Sequence, residues 1–230
     1  MSSFRQGLQD GVPIALGYVP VGVTFGLVAI QQGFSMVEAT LSSVLIFSGA
    51  AQFTLVGLLG SGTPGGIAWG LCLLLNTRHL LYGPSLAAQI PASPRTLAVL
   101  AHGLTDEVFA VALARLEKSP PAARVGWLVG VEVAAYGSWV GATVMGSLGG
   151  GWIMTRLPLL AQALPFALPA LFGVLVMPYL QTGHRGQRIG LGVAVIGAAL
   201  LSWMGYPAAG ILGASLAGAV SKRIVYEGRS

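Results

Sequence analysis

The sequence predicts an all-α fold, a polytopic transmembrane helical bundle that forms a single domain over residues 1–230. Hydrophobic residues make up 54% of the chain and charged residues only 8%, whereas a soluble domain carries about 25% charged residues. Glycine accounts for 34 of the 230 residues, about twice its average frequency. This composition excludes a soluble enzyme, a nucleic-acid-binding domain and a disordered chain, and it places the protein in a lipid bilayer.

Apolar segments separated by short polar connections give the expected number of spans. A spanning helix needs about 20 apolar residues, so we predict about eight spans. Seven is the alternative, because the last two segments are divided only by Gly205-Tyr206-Pro207. The apolar segments are 12–31, 38–60, 65–90, 96–115, 126–148, 157–181, 187–204 and 207–221.

The distribution of basic residues predicts the orientation of these spans. If the N-terminus is cytoplasmic, only Arg95 and Arg156 fall in loops on the opposite side. Because lysine and arginine favour cytoplasmic loops, we predict an even number of spans, both termini in the cytoplasm and a location in the bacterial inner (plasma) membrane. The predicted cytoplasmic set is Arg5, Arg115, Lys118, Arg124, Arg185, Arg188, Lys222, Arg223 and Arg229.

The glycines predict close packing between helices. Lipid tails give helices no hydrophobic reason to associate, so membrane helices pack through small residues four positions apart. One shift along the chain also aligns Phe47 with Phe166 and three early glycines with three later ones. This predicts a two-fold internal repeat of halves 1–115 and 125–222, although chance agreement is the alternative in so glycine-rich a chain. The small-residue pairs are Gly22/Gly26, Gly66/Gly70, Gly126/Gly130 and Gly137/Gly141.

Arg78 is the basic residue that falls inside a predicted span. Tyr82 lies four residues later and shares its helix face, and Pro84 removes the hydrogen bond to the carbonyl of Leu80. We therefore predict that the helix breaks or bends at Gly83-Pro84, with a guanidinium beside it that holds a carboxylate. The alternative is an Arg78 that reaches the interface or pairs permanently with an internal acid.

Acidic residues in the fourth and fifth segments are candidates for coupling to an ion or proton. His102 and Asp106 are spaced one helical turn apart and Glu107 follows. Such groups recur in proton relays because buried charges are costly and rarely idle. A fixed ion pair between Arg78 and one of these acids is the alternative. Glu132 is a further candidate, with an interfacial position near the cytoplasmic end as its alternative.

Small and proline residues indicate discontinuous helices. The run Ser48-Gly-Ala-Ala-Gln52 exposes backbone and predicts either an unwound cavity wall or tight packing around one interhelical hydrogen bond. Pro165 and Pro169 predict a kink in the sixth segment. Pro13 and Pro20 make a weaker case in the first. Broken helices that line a midplane site are typical of transporters.

Signatures of an enzyme are absent from the sequence. It contains neither the HExxH of a metalloprotease nor a nucleotide-binding GxxxxGK[ST] loop. Its three histidines and one cysteine are too scattered for a metal site. We therefore expect no catalytic residue, metal or cofactor. A passive channel for small polar solutes or ions remains the alternative to a transporter.

Four motifs together resemble the AzlC family of branched-chain amino acid permeases. They are Phe4-Arg-Gln-Gly-Leu-Gln-Asp-Gly-Val-Pro13, Ser48-Gly-Ala-Ala-Gln-Phe53, Asn76-Thr-Arg-His-Leu-Leu-Tyr-Gly83 and Leu104-Thr-Asp-Glu107. The resemblance implies the large subunit of an exporter of branched-chain amino acids such as valine and leucine. It also implies a small membrane partner of the AzlD type and the use of an ion gradient. The family positions carry over to Gln52, Asn76, Arg78, His79, Asp106 and Glu107.

Roles for these residues are our hypothesis. Arg78 or the N-terminus of a broken helix would receive the substrate carboxylate. Asp106, tuned by His102, would bind the ammonium group or a coupling proton. Gln52, Asn76 and Tyr82 would line the substrate site.

Overall fold

A computed structural model describes residues 2–77, 79–116 and 119–163, together with residues 192, 195–197, 199–200 and 204. This part of the chain is helical and contains no strand, which confirms the all-α prediction for the described residues. The chain divides into two compact units, Met1–Pro169 and Ala170–Ser230. In the first unit the helices are α1 Ser3–Gln31, α2 Met36–Leu45, α3 Gly49–Gly60, α4 Gly65–Asn76, α5 His79–Ala87, α6 Pro94–His102, α7 Asp106–Arg115, α8 Pro121–Arg156 and α9 Pro158–Ala163.

Several predictions concern residues outside the described part. Arg78, Pro165, Pro169 and most of the sixth to eighth segments lie there. The kink in the sixth segment, the total number of spans, the internal repeat and the position of the C-terminus therefore stay predictions.

Among the described helices, α1 and α8 are long and apolar enough to cross a membrane. They contain 29 and 36 residues, or about 44 and 54 Å of helix, against a hydrocarbon core of about 30 Å. α1 continues through Pro13 and Pro20, so the interruption suggested for the first segment is not present.

α1 and α8 run in the same direction and pack through glycine. A Cβ added at Gly7 would lie 1.9 Å from the carbonyl oxygen of Trp127, and one added at Gly26 would lie 2.2 Å from that of Thr143. Early residues of one helix thus meet early residues of the other, and late residues meet late ones. We call the end where both helices begin the lower end, and the end where both finish the upper end.

This interface explains two of the four predicted small-residue pairs. Gly22 and Gly26 in α1, and Gly126 and Gly130 in α8, each have backbone or side-chain atoms of the other helix where a Cβ would be. A Cβ on any of the other pairs, Gly66/Gly70 and Gly137/Gly141, would meet no atom within 4 Å. The close-packing prediction therefore holds where the two long helices touch.

The second predicted segment folds back on itself. α2 begins just after α1 ends at the upper end and runs inward until the Ser43 hydroxyl lies 2.8 Å from that of Thr143. After residues 46–48, α3 returns to the upper end, where a Cβ at Gly60 would lie 2.1 Å from the Gln32 side chain. α2 and α3 therefore form a helical hairpin, the first hairpin, with its tip in the interior of the bundle.

The third segment crosses the bundle as two helices. α4 descends beside α3, where the Cys72 thiol donates to the carbonyl of Ala51 at 3.3 Å. α5 continues to the lower end, where the carbonyl of Gln89 accepts from Arg124 Nη1 at 2.7 Å. The third segment therefore passes from one end of the bundle to the other.

Of the break or bend predicted at Gly83-Pro84, the break is not present, and the bend stays a prediction. α5 runs without interruption through both residues, whereas α4 ends at Asn76 and α5 begins at His79. Proline at position 84 leaves the carbonyl of Leu80 without its helical donor, but the loss of one hydrogen bond does not end the helix. The discontinuity lies instead about two turns earlier.

The fourth segment forms a second hairpin, which enters from the lower end. α6 ascends beside α8 until Gly103 lies against Glu132. α7 then descends along α1, from Thr105 beside Tyr18 to Arg115, whose guanidinium lies 3.5 Å from the carboxylate of Asp10. The tip of this second hairpin is residues 103–105.

Two expectations about the fourth segment are therefore wrong. α6 ends at His102 and α7 begins at Asp106, so these two side chains do not lie one turn apart on a continuous helix. Arg95, expected in a loop opposite the cytoplasmic side, is at the start of α6. Since Gln89, in the connection between α5 and α6, contacts Arg124, α6 begins at the same end as Arg115 and Arg124.

Candidate functional site

The tips of the two hairpins meet in the middle of the bundle. The imidazole Nε2 of His102 lies 3.0 Å from the carbonyl oxygen of Val44. The hydroxyl of Tyr18 donates to the Glu107 carboxylate and lies 2.7 Å from Thr105 Oγ1. The Tyr18 ring packs edge-on against Phe47. Tyr18 thus contacts both tips at once.

The first hairpin turns through a strained residue. Phe47 has a φ of +42°, a left-handed conformation that bulky side chains rarely adopt and that costs about 1–3 kcal/mol. Its side chain is 3% exposed and packs against Tyr136 and His102, with ring centroids 4.8 and 6.5 Å away. Packing from α8 and from the second hairpin therefore stabilises the turn that leads into the start of α3.

Gln52 lies behind this tip, and both atoms of its side-chain amide are hydrogen-bonded. Its amide nitrogen donates to Ser43 Oγ at 2.9 Å and Ser42 Oγ at 3.3 Å. Its amide oxygen accepts from the Trp139 indole at 3.0 Å and from the Ser48 amide at 3.2 Å. The side chain is fully buried. Gln52 therefore fixes the first hairpin to α8, and we interpret it as a residue that positions the site.

Asn76 connects the discontinuity between α4 and α5 to the first hairpin. Its amide oxygen accepts from the Ser48 hydroxyl at 2.8 Å, and its carbonyl lies 3.1 Å from the imidazole of His79. Arg78 is next to these residues in the chain but lies outside the described residues. The structure thus places the neighbours of Arg78 at the meeting point of the hairpin tips.

Tyr82 and Asp106 bring α5 to the second hairpin. The Tyr82 hydroxyl donates to Asp106 Oδ1 at 2.7 Å, and its ring stacks on Phe109 at 4.3 Å. Asp106 and Glu107 occupy the first turn of α7, and Thr105 caps this helix by accepting from the amide of Val108. Carboxylates are favoured at a helix N-terminus because they complement its partial positive charge.

Glu132 faces the tip of the second hairpin from α8. It is 8% exposed, and its Oε1 has no hydrogen-bond partner in the described part of the chain. A Cβ at Gly103 would lie 2.6 Å from the Glu132 carboxyl carbon, so glycine at the tip allows the carboxyl group to approach. Burial places this carboxyl inside the bundle and argues against an interfacial position.

Helix termini give the site both signs of partial charge. α3, α5 and α7 begin here, and α2, α4 and α6 end here. Free amides at helix N-termini attract anions, and free carbonyls at C-termini attract cations. The N-terminus of α3 has no side-chain cap. Such an arrangement suits a small zwitterion better than an ion of one sign.

Among the described residues, no three His, Cys, Asp or Glu side chains are grouped to hold a metal.

The structure brings together seven of the eight residues that the sequence predicts to bind the substrate or to couple to an ion or proton, and it adds four others. Sequence reasoning did not select Tyr18, Thr105, Tyr136 or Trp139. The three aromatic residues carry a signal, because tyrosine and tryptophan are most common near the membrane interfaces. Their polar groups at the centre of a span need an internal partner. The seven residues that meet around the tips are Gln52, Asn76, Tyr82, His102, Asp106, Glu107 and Glu132.

Discontinuous helices that end at a buried polar centre within an apolar bundle are typical of membrane transport proteins. Comparison with known sequences agrees. The family model described as "AzlC protein" matches residues 13–153, which is most of the described bundle. The chain belongs to the AzlC family, and a membrane transport role is supported.

Relatives with similar sequences cover most of the chain. The inner membrane protein YgaZ of Escherichia coli is 36% identical over 86% of this chain and 80% of its own length. An uncharacterized membrane protein of Archaeoglobus fulgidus is 37% identical over 94% and 92%. The branched-chain amino acid transport protein AzlC of Bacillus subtilis is 26% identical over 84% and 75%. No solved structure matches the chain.

Proposed function

We propose that the chain is the large subunit of a secondary active exporter of branched-chain L-amino acids such as valine and leucine. The observation that carries this proposal is the meeting of three helix N-termini and three helix C-termini beside Asp106 and Glu107. An amino acid has one anionic and one cationic group, and this site offers partial charges of both signs. The Bacillus subtilis relative, named for branched-chain amino acid transport, supports the substrate class.

The substrate carboxylate binds at the start of α3 or at Arg78. Amides at the N-terminus of α3 have no side-chain cap, and helix N-termini bind carboxylates readily. Arg78 would add a paired hydrogen bond. The ammonium group binds at Asp106, whose carboxylate already accepts from Tyr82, and at the carbonyls that end the opposing helices.

An ion or proton gradient drives export, and Glu132 is our candidate for the coupling group. A buried carboxyl with one oxygen unpaired has an unfavourable free energy in a membrane, and such groups usually have a function. Glu132 faces Gly103 in the second hairpin, so gain or loss of a proton there changes the contact between α8 and that tip. His102 and Asp106 flank the same tip and complete the coupling group.

The protein lies in the bacterial inner membrane, with the lower end in the cytoplasm and both termini there. The lower end carries Arg95, Arg115 and Arg124, which agrees with the cytoplasmic preference of basic residues. A small membrane protein of the AzlD type is the expected partner. The family resemblance supports this partner, and the charge pattern supports the orientation.

Counterflow of labelled leucine in proteoliposomes tests the function. We expect saturable exchange of internal for external leucine, either by the chain alone or only with its small partner. Saturable exchange identifies a carrier, whereas a passive channel conducts without counterflow. Absence of exchange in both preparations, with folded protein, would contradict the branched-chain substrate.

Replacing Asp106 tests the ammonium site. Asp106→Asn keeps the shape but removes the charge, and hydrogen bonds to charged groups contribute about 1.5–3 kcal/mol. We therefore expect leucine exchange to fall by about 10- to 100-fold. Asp10→Asn is the matched control, because Asp10 lies at the lower end beside Arg115. An Asp106→Asn protein with normal exchange would exclude this carboxylate from the site.

Replacing Glu132 tests coupling separately. Glu132→Gln cannot exchange a proton, so we expect leucine counterflow to persist while accumulation driven by an imposed pH gradient is lost. The measurement is the steady-state ratio of leucine concentrations across the vesicle membrane, which should fall to about one for a carrier without a driving force. A variant that still concentrates leucine as the unmodified protein does would exclude Glu132 as the coupling group.

A further inference from the structure

An apolar cavity of about 230 Å³ lies between α5, α6 and α8. Only glycine, alanine, leucine and isoleucine residues line it. Gly83, Leu86 and Ile90 contribute from α5 and its C-terminal extension, Leu100 from α6, and Leu128 from α8. Nothing in its lining can hold a charged group, so its occupant must be apolar.

At one end of this cavity the lining residues are neighbours, in the chain, of residues of the polar site. Gly83 lines the cavity and directly follows Tyr82, whose hydroxyl donates to Asp106. Leu104 also lines the cavity, and the hydroxyl of its neighbour Thr105 lies 2.7 Å from that of Tyr18. These neighbours favour a molecule that has its charged groups at the helix termini and an apolar group in the cavity.

We propose that this cavity receives the branched aliphatic side chain of the transported amino acid, and that Gly83 sets the size of side chain it accepts. This inference rests on the proposed function and adds the element that selects among amino acids. Pockets for drug-sized ligands begin at about 300 Å³, so a smaller, wholly apolar cavity suits one amino-acid side chain. Removal of such a side chain from water would favour leucine, isoleucine and valine over alanine.

Gly83 is a lining position at which a side chain can be added without a clash. A Cβ added there would meet no atom of the described residues within 4 Å, so we expect larger side chains to take up cavity space. A difference of one methylene group in an apolar pocket changes selectivity by about 10- to 200-fold. Alanine, valine and leucine at this position should therefore reduce the cavity in steps.

The experiment compares Gly83→Ala, Gly83→Val and Gly83→Leu in the full chain with its partner. Counterflow of labelled leucine, isoleucine, valine and alanine is measured in proteoliposomes. We expect the ratio of leucine to alanine exchange to fall at each step, by about tenfold or more for Gly83→Leu. Gly70→Leu is the matched control, because a Cβ at Gly70 in α4 also meets open space but lies outside the cavity.

A second variant covers the case in which Gly83→Leu does not fold. Leu100→Ala enlarges the cavity from its α6 side and should extend exchange to bulkier side chains such as phenylalanine. Equal loss of all four amino acids in a folded Gly83→Leu protein, or an unchanged ratio, would overturn the assignment of the cavity. Failure of the unmodified protein to exchange leucine would overturn the proposed function itself, and the assignment with it.

Discussion

At the scale of single residues, the buried polar side chains of Gln52 and Glu132 differ in how completely they are hydrogen-bonded. Gln52 is fully buried and its two amide atoms make four hydrogen bonds, which equals the capacity of the group. Glu132 is almost as buried, but Oε1 is unpaired among the described residues. A saturated group stabilises one conformation, whereas an unsaturated one gains from a partner. We therefore interpret Gln52 as a residue with a structural role and propose a functional role for Glu132.

Gln52→Leu should lower the stability of the protein. The substitution leaves the Trp139 indole, the Ser48 amide and the Ser43 hydroxyl without this partner, and each unsatisfied buried group costs about 1–3 kcal/mol. We expect a Tm in detergent several degrees below that of the unmodified protein, measured by near-UV circular dichroism. Gln6→Leu on the exposed face of α1 is the control. An unchanged Tm for Gln52→Leu would mean that these hydrogen bonds contribute little to the stability of the protein.

The residues of the site could be found in the sequence because polar groups in a membrane are conspicuous, but their contacts could not. His102 and Asp106 are four positions apart, and a continuous helix would place them on one face. The chain reverses between them at Gly103, so each finds a partner on another helix. For Tyr18 and Trp139 the sequence shows that a hydroxyl or indole within an apolar segment needs an internal partner, but not which partner it has.

At the scale of elements, the two long helices and the hairpins hold together in different ways. α1 and α8 approach closely because glycines face backbone atoms of the opposite helix. Polar side chains hold the hairpin tips instead, by hydrogen bonds to α1, α8 and each other. Close backbone packing resists displacement because interiors are densely packed. We therefore expect the two long helices to be the more rigid part of the bundle.

Gly26→Ala should disrupt the contact between the long helices. Its Cβ would lie 2.2 Å from the carbonyl oxygen of Thr143, and overpacking of this kind costs about 1–3 kcal/mol. The free energy of unfolding, measured by denaturant titration in detergent, should fall by this amount. Gly57→Ala in α3 is the control, because a Cβ there meets open space and alanine favours helix by about 0.5–1 kcal/mol. A fall of equal size in both variants would refute the role of this contact.

A discontinuity at Ser48 is one of the two alternatives that the sequence left open, whereas the reversal of direction there was not predicted. Three small residues exposed the backbone after Ser48, and the start of α3 lies at that point. An apolar segment of about 20 residues has the same composition whether it crosses a membrane or turns back halfway. Direction depends on tertiary contacts, such as that between Gly60 and Gln32, which local periodicity does not encode.

At the scale of the whole molecule, the described chain crosses from end to end in α1, in α4 with α5, and in α8. The first hairpin enters from the upper end and the second from the lower end. This arrangement moves Arg95 to the lower end, with Arg115 and Arg124. The charge pattern expected from the sequence is thereby strengthened, since one of its two exceptions disappears.

Labelling of introduced cysteines tests this topology. In a background that lacks the native Cys72, Ser93→Cys should react with an impermeant maleimide from the same side of the membrane as Ser119→Cys. Thr63→Cys, in the connection between α3 and α4, should react from the opposite side. These positions fall in connections between helices, where thiols are accessible. Labelling of Ser93→Cys from the side of Thr63→Cys would show instead that the fourth segment crosses the membrane.

The meeting of two hairpins from opposite ends has a consequence for access. Each hairpin is attached only at its own end, so retraction of one tip exposes the centre to that side while the other tip still closes it. Tyr18 contacts both tips, so we expect it to lose a different contact when each of them retracts. We expect a cycle in which two flaps open in turn against a fixed frame of α1 and α8, without rotation of one half of the protein against the other.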